Sequence, residues 1–173
     1  MNNKFLLVQT SLMKPRDILK KIHERPEDDI SLILVLVYGA TRGLGYISKT
    51  NWPAAFLIPI ASAFGAVIGT MFYAYLLDGV TRLFSKAEAF TKIRFTLPYA
   101  LVPLIIGNVV VLITDEKTDR LLNIAFELWF IGILTILLSQ LKNISLYKSV
   151  LSIIIATLIV VGPILIVYSF LYR

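Results

Sequence analysis

Cysteine is absent from the chain and histidine occurs once, at His23. The first absence removes disulfides, thiolate nucleophiles and cysteine metal sites. The second leaves no His-Glu-x-x-His metal motif and no serine dyad with a histidine base in an apolar segment. Charge is scarce as well: 16% of the 173 residues are Asp, Glu, Lys or Arg, and only 11 are acidic. Asp78-Gly79 followed by Arg82 resembles a fragment of a phosphotransferase signature, but Tyr75 stands where the earlier Asp belongs and the Arg is one residue too close. No later acidic pair at four-residue spacing exists, and metal-dependent phosphoryl transfer needs several carboxylates at one ion. An intramembrane aspartyl pair lacks its second Asp. The sequence holds no catalytic constellation and requires no metal or cofactor, and His23 reads as a solvated or interfacial side chain.

What is abundant is apolar sequence. The chain is 57% hydrophobic, with a mean hydropathy of +0.79, more than a soluble domain of this size has polar surface to cover. Ala54 to Leu77 runs for 24 residues without a charge, where about 20 suffice to cross a hydrocarbon core roughly 30 Å thick. Further runs of this kind predict an all-α, polytopic bundle of five membrane-spanning helices: Ile30 to Ile47, Ala54 to Leu77, Leu97 to Ile113, Leu121 to Leu141, and Ser149 to Tyr172. Residues 1–29 form a polar segment before the 30–173 transmembrane domain. In that segment Pro15 suits the first turn of an interfacial helix, with Ile18, Leu19 and Ile22 on one side and Lys14, Lys20, Lys21 and Arg25 able to reach headgroups. No cleavable signal pattern is present, because Phe5 to Val8 is too short for an h-region. The first span reads as an uncleaved anchor.

The net charge of +6 is distributed by loop. Twelve of the 17 Lys and Arg fall in the N-terminal segment and in the loops 80–96 and 142–148, whereas Lys49, Lys117, Arg120 and Arg173 fall on the opposite side. By the positive-inside rule this bias puts the N-terminus in the cytoplasm and the C-terminus outside, the parity that five spans require. Nucleic acid is not an expected partner; lipid and a second protein chain are.

Small residues and stray charges mark the expected contacts. Ala61, Gly65 and Gly69 recur every fourth residue in span two, and Gly39 and Gly43 share that spacing in span one, so the two faces are expected to meet. Arg42 lies about 18 Å above Ile30 and Glu127 about 21 Å above the inner edge of its own span. Charged groups at matching depth are stable only when paired, which predicts an Arg42 to Glu127 ion pair; the alternative is that Arg42 snorkels to headgroups. Asn108 in span three either joins that polar cluster or makes an ordinary helix contact. Asp78 and Arg82 form a favourable acid-then-base helical pair, read either as a surface pair or, with Tyr75, as part of a cytoplasmic docking surface that includes Arg16, Lys20, Lys21, Lys86 and Lys92. Pro98, Pro103 and Pro163 are expected to kink spans three and five.

The order of short motifs resembles the Yip1 domain family. Lys14-Pro15-Arg16-Asp17-Ile18-Leu19 and Arg25-Pro26 precede span one, Ser85-Lys86 through Ala89-Phe90 occupy the loop after span two, Tyr99-Ala100 with Pro103 is similar to a Tyr-Ala-x-x-Pro element, and Ser145, Tyr147 and Lys148 lie in a polar turn before the last span. A glycine-rich loop of that family reads Phe84-Ser85-Lys86-Ala87 in this chain. The resemblance implies a five-helix membrane protein with a cytoplasmic N-terminus that works by association, as eukaryotic relatives do with Rab-type GTPases and with each other in vesicle traffic. The short N-terminal segment points to a prokaryotic member in the plasma membrane, an accessory protein beside export machinery. A small transporter, channel or scramblase built around Arg42, Asn108 and Glu127 is the competing reading.

Overall fold

The computed structural model describes residues 9, 12–14, 28–47, 54–85, 90–114 and 116–171. Six helices of at least 10 residues lie among the described residues: α1 (Asp28–Leu44), α2 (Ala54–Thr81), α3 (Phe90–Ala100), α4 (Val102–Val111), α5 (Glu116–Lys142) and α6 (Leu146–Leu171). Four units are long and apolar enough to cross a membrane, namely α2, α3 with α4, α5 and α6, while α1 is a shorter apolar helix. At 17 residues, α1 is about 26 Å long and sits at the lower limit for a span. The interfacial helix expected near Pro15, with Arg16, Lys20 and Lys21, and also Lys86, lies outside the described residues.

The core sits at one end, termed here the base, where α1, α3 and α6 begin and α2 and α5 end. Ala74 and Leu77 from α2, Ile93 and Leu97 from α3, Leu134, Leu137 and Leu138 from α5, and Ile153 and Ala156 from α6 close on one another there. Each set follows the three- and four-residue spacing that keeps one helix face turned inward. On α6 the inward face is made of small residues, Ser149, Ser152 and Ala156, which lets that helix approach closely. Toward the opposite end, the crown, α6 turns apolar side chains outward from Leu158 to Leu171. That surface is of the kind lipid covers.

The packing of α1 on α2 differs from the expected one. A Cβ on Gly39 would stand 2.6 Å from Ala63 Cα, and one on Gly43 would stand 2.6 Å from Pro59 Cα, so both glycines are demanded by backbone approach. Their partners are Pro59, Ser62, Ala63 and Ala66, however, and a Cβ on Gly65 or Gly69 would meet nothing within 4 Å. Ala61 is likewise exposed. With about 100° per residue, a shift of two positions carries a stripe to the other side of a helix. A second small-residue stripe, in line with the buried Ala74, Leu77 and Asp78, takes the contact.

Span three is interrupted at its prolines as expected, whereas span five continues through its own. Helix α6 runs unbroken through Pro163; the residue before it is Gly162, which has no Cβ to clash with the proline ring, so helical geometry survives the loss of one hydrogen bond. Pro98 lies inside α3, and Pro103 opens α4 in its first turn, where its missing N–H costs nothing. The interruption falls between them, at Leu101, whose N–H donates to Pro98 O at 3.2 Å in a tight turn.

Candidate functional site

Two polar constellations lie within the bundle, one at each end. At the crown, α1, α4 and α5 form an open cavity of about 390 Å³ lined by Tyr38, Thr41, Arg42, Tyr46, Asn108, Asn123 and Glu127 among other residues, with Arg42, Tyr46, Asn123 and Glu127 exposed at its mouth. Arg42, Asn108 and Glu127 are thus brought to one cavity. The ion pair between Arg42 and Glu127 is not formed: Arg42 Nη1 donates instead to Tyr38 Oη at 3.0 Å, one turn earlier on the same helix. Tyr46 is a second phenol partner of the guanidinium. A phenol a turn away on its own helix reaches Arg42 without crossing the cavity, which is why the local partner prevails. Asn108 Nδ2 donates to Thr41 Oγ1 at 3.3 Å, and Thr41 Oγ1 donates back to Tyr38 O at 3.0 Å, so span three is tied to span one. Gly107 lets α4 pack closely on α5, since a Cβ there would meet the Phe126 ring at 2.8 Å.

At the base, Asp78 is the centre of a buried charge cluster. Lys142 Nζ donates to Asp78 Oδ1 at 2.6 Å, and Arg82 Nε and Nη2 donate to Asp78 Oδ2 at 3.0 and 2.8 Å. The Lys142 side chain is 0% exposed and that of Asp78 4%, whereas Arg82 is half open at 52%. Asp78 is therefore not part of an accessible docking surface, although its pair with Arg82 is present. The carboxylate tethers α2 to α5. Lys142 is aimed inward by the end of its helix: Asn143 takes a left-handed φ of 51°, and Ile144 N–H reaches back to Ser139 O at 3.0 Å, the closure of a Schellman motif. Ser145 then caps α6, accepting from the Lys148 N–H at 3.4 Å.

Around this cluster the base is basic on its outside. Arg82, Lys92 and Arg94 are exposed, as is Tyr75, whose ring meets Phe90 edge-on. Arg94 rims an apolar groove of about 310 Å³ between α1, α2 and α3, walled by Leu32, Val35, Val67, Met71 and Pro98. Ser31 on its wall donates to Phe95 O at 3.0 Å. Among the described residues no three His, Cys, Asp or Glu side chains converge as a metal site. The crown cavity and the exposed cations of the base offer hydrogen bonds and charge for binding.

Sequence reasoning missed Lys142, Tyr38, Thr41, Tyr46 and Asn123. Signals existed for all but Thr41: Tyr38, Arg42 and Tyr46 repeat every fourth residue, Asn123 precedes Glu127 by one turn, and Lys142 continues the inward row of Leu134 and Leu138.

A family model described as the Yip1 domain matches residues 10–169. The chain belongs to the Yip1 domain family. Both constellations lie inside the matched region, and the family together with the apolar helices makes this a multi-pass membrane protein. The Yip1 family is not a known enzyme family. No curated protein and no solved structure matches the chain.

Proposed function

We propose that this Yip1 protein is a non-enzymatic accessory subunit of the plasma membrane, with five spans, a cytoplasmic N-terminus formed by residues 1–29, and a base that docks a protein partner or anionic lipid. The observation that carries the reading is the exposed basic rim of Arg82, Lys92 and Arg94 around a base locked by Asp78 and Lys142. Each cation near an anionic leaflet adds about 1 kcal/mol of attraction, and the groove beside Arg94 supplies apolar contact for an acyl chain. The bias of Lys and Arg toward this end supports its assignment to the cytoplasm. Because the chain has no native Cys, single introduced cysteines test it. Asn3→Cys is expected to resist a membrane-impermeant maleimide in intact cells while Arg173→Cys reacts; equal reaction of both would end the five-span reading. Crosslinkers placed at Arg82 and Lys92 are expected to capture one defined protein or an anionic lipid.

A second reading, a transporter or scramblase, is favoured by the convergence of Arg42, Asn108 and Glu127 on one cavity. Flux in proteoliposomes that is unchanged by Glu127→Gln and by Arg42→Ala would discard it.

A further inference from the structure

The crown cavity holds a cation and an anion that do not meet. Arg42 and Glu127 both line it, yet they form no salt bridge within 4.0 Å. Arg42 is held by Tyr38 one turn before it and by Tyr46 one turn after it. A guanidinium has five N–H donors in a planar fork, so two phenols leave part of that fork for an incoming anion. Glu127 has no hydrogen-bond or ion-pair partner among the described residues, and an ionised carboxylate only accepts. Asn123 stands one turn before it on α5, and the Asn108 amide oxygen remains available once its nitrogen is committed to Thr41. At about 390 Å³ the cavity is within the range of ligand sites, about 300–1,000 Å³.

Uncompensated charges among apolar helices are unfavourable. A simple anion neutralises Arg42 but is repelled by Glu127, and a simple cation has the opposite difficulty; a zwitterion satisfies both. The flank of the cavity decides between a lipid and a free solute. Leu121, Ile124 and Leu128 are 73%, 54% and 64% exposed at three- and four-residue spacing on α5, so an apolar stripe runs alongside Glu127. Acyl chains gain contact along that stripe, and a free solute does not. A primary ammonium suits Glu127 better than a quaternary one because it donates charge-assisted hydrogen bonds.

We propose that the crown cavity binds the headgroup of a zwitterionic phospholipid with a primary ammonium, its phosphate on Arg42 and its ammonium on Glu127. The proposal rests on the cavity of the second reading above but requires no movement of lipid. The full chain, stripped of lipid in detergent, is offered equal amounts of phosphatidylethanolamine, phosphatidylcholine and phosphatidylglycerol of one acyl composition, and retained lipid is counted by native mass spectrometry. Phosphatidylethanolamine is expected to be retained at least fivefold over the others, with Glu127→Gln removing its advantage over phosphatidylcholine. Asn123→Leu, which replaces a polar group on the cavity wall without altering either charge, is expected to lower the phosphatidylethanolamine preference as well, and lipid-free melting curves identify any variant that misfolds. Equal retention of the three lipids, or a preference that survives both substitutions, overturns the proposal. Displacement of the lipid by free phosphoethanolamine at equal concentration would put the ligand in solution and overturn the lipid assignment. Flux is a separate readout: selective retention without flux upholds the site and discards transport, and flux without retention discards the site.

Discussion

Replacing Lys142 by Met keeps the length and most of the volume of the side chain and removes its charge, so the test isolates the ion pair with Asp78. Both side chains are almost wholly shielded, at 0% and 4% exposure. Deleting one partner of such a buried pair costs about 3–5 kcal/mol, mostly from the charge left behind. Arg82 still donates to the other carboxylate oxygen at 2.8 Å, which moves the expected loss to the low end, about 3 kcal/mol. Asp78→Leu removes the carboxylate from a wholly buried ammonium and is expected at about 4–5 kcal/mol. The double variant Asp78→Leu, Lys142→Met replaces the pair with apolar side chains and releases the half-open Arg82 to solvent. Such replacements are commonly neutral, so it is expected within about 1 kcal/mol of the parent. The assay is reversible unfolding in mixed micelles by titration with sodium dodecyl sulfate, followed by helix circular dichroism. A Lys142→Met loss below about 0.5 kcal/mol, or a double variant no more stable than the worse single one, refutes the claim that this pair is a sealed tether between α2 and α5.

The same titration checks three further expectations. Gly39→Ala places a Cβ 2.6 Å from the Ala63 Cα and is expected to lose about 1–3 kcal/mol through overpacking, whereas Gly65→Ala and Gly69→Ala, with open space around them, are expected to be neutral or stabilising. Asn143→Ala is expected to lose about 1 kcal/mol because alanine resists the left-handed conformation, while Asn143→Gly retains full stability. Ser152→Leu puts bulk into the fully buried inward face of α6 and is expected to cost about 1–3 kcal/mol; Leu158→Ser on the exposed upper part of that helix is expected to leave the packing of the base unchanged.

Much of the architecture was legible because a bilayer reduces the problem to apolar length. Ala54 to Leu77 and the run after Ser149 could be little else, and the motifs around Pro15, Tyr99 and Ser145 pointed to the Yip1 family that the chain belongs to. What the sequence left open was which side of each helix faces in. Small residues occur on two sides of α2, at Ala61, Gly65 and Gly69 and at Ser62, Ala63 and Ala66, and spacing alone does not choose between them. Arg42, Asn108 and Glu127 were assigned to one depth correctly enough to share a cavity, but depth does not fix partners, and a tyrosine one turn away prevailed over a carboxylate on another helix. Lys142 was counted as a loop cation because its helix was ended one residue early. A single residue at a helix end separated a headgroup contact from a fully buried charge.

The joint at Leu101 has a mechanical meaning. Pro98 lacks an amide hydrogen, so the carbonyl one turn before it loses its helical donor, Pro103 starts a new helix, and a tight turn at Leu101 connects α3 to α4. Below it, α3 is anchored by the buried Ile93, Thr96, Leu97 and Tyr99; above it, α4 carries Asn108 on the wall of the crown cavity. Stiffness along this span is therefore uneven, and a load applied to α4 is relieved at the proline pair before it strains the base.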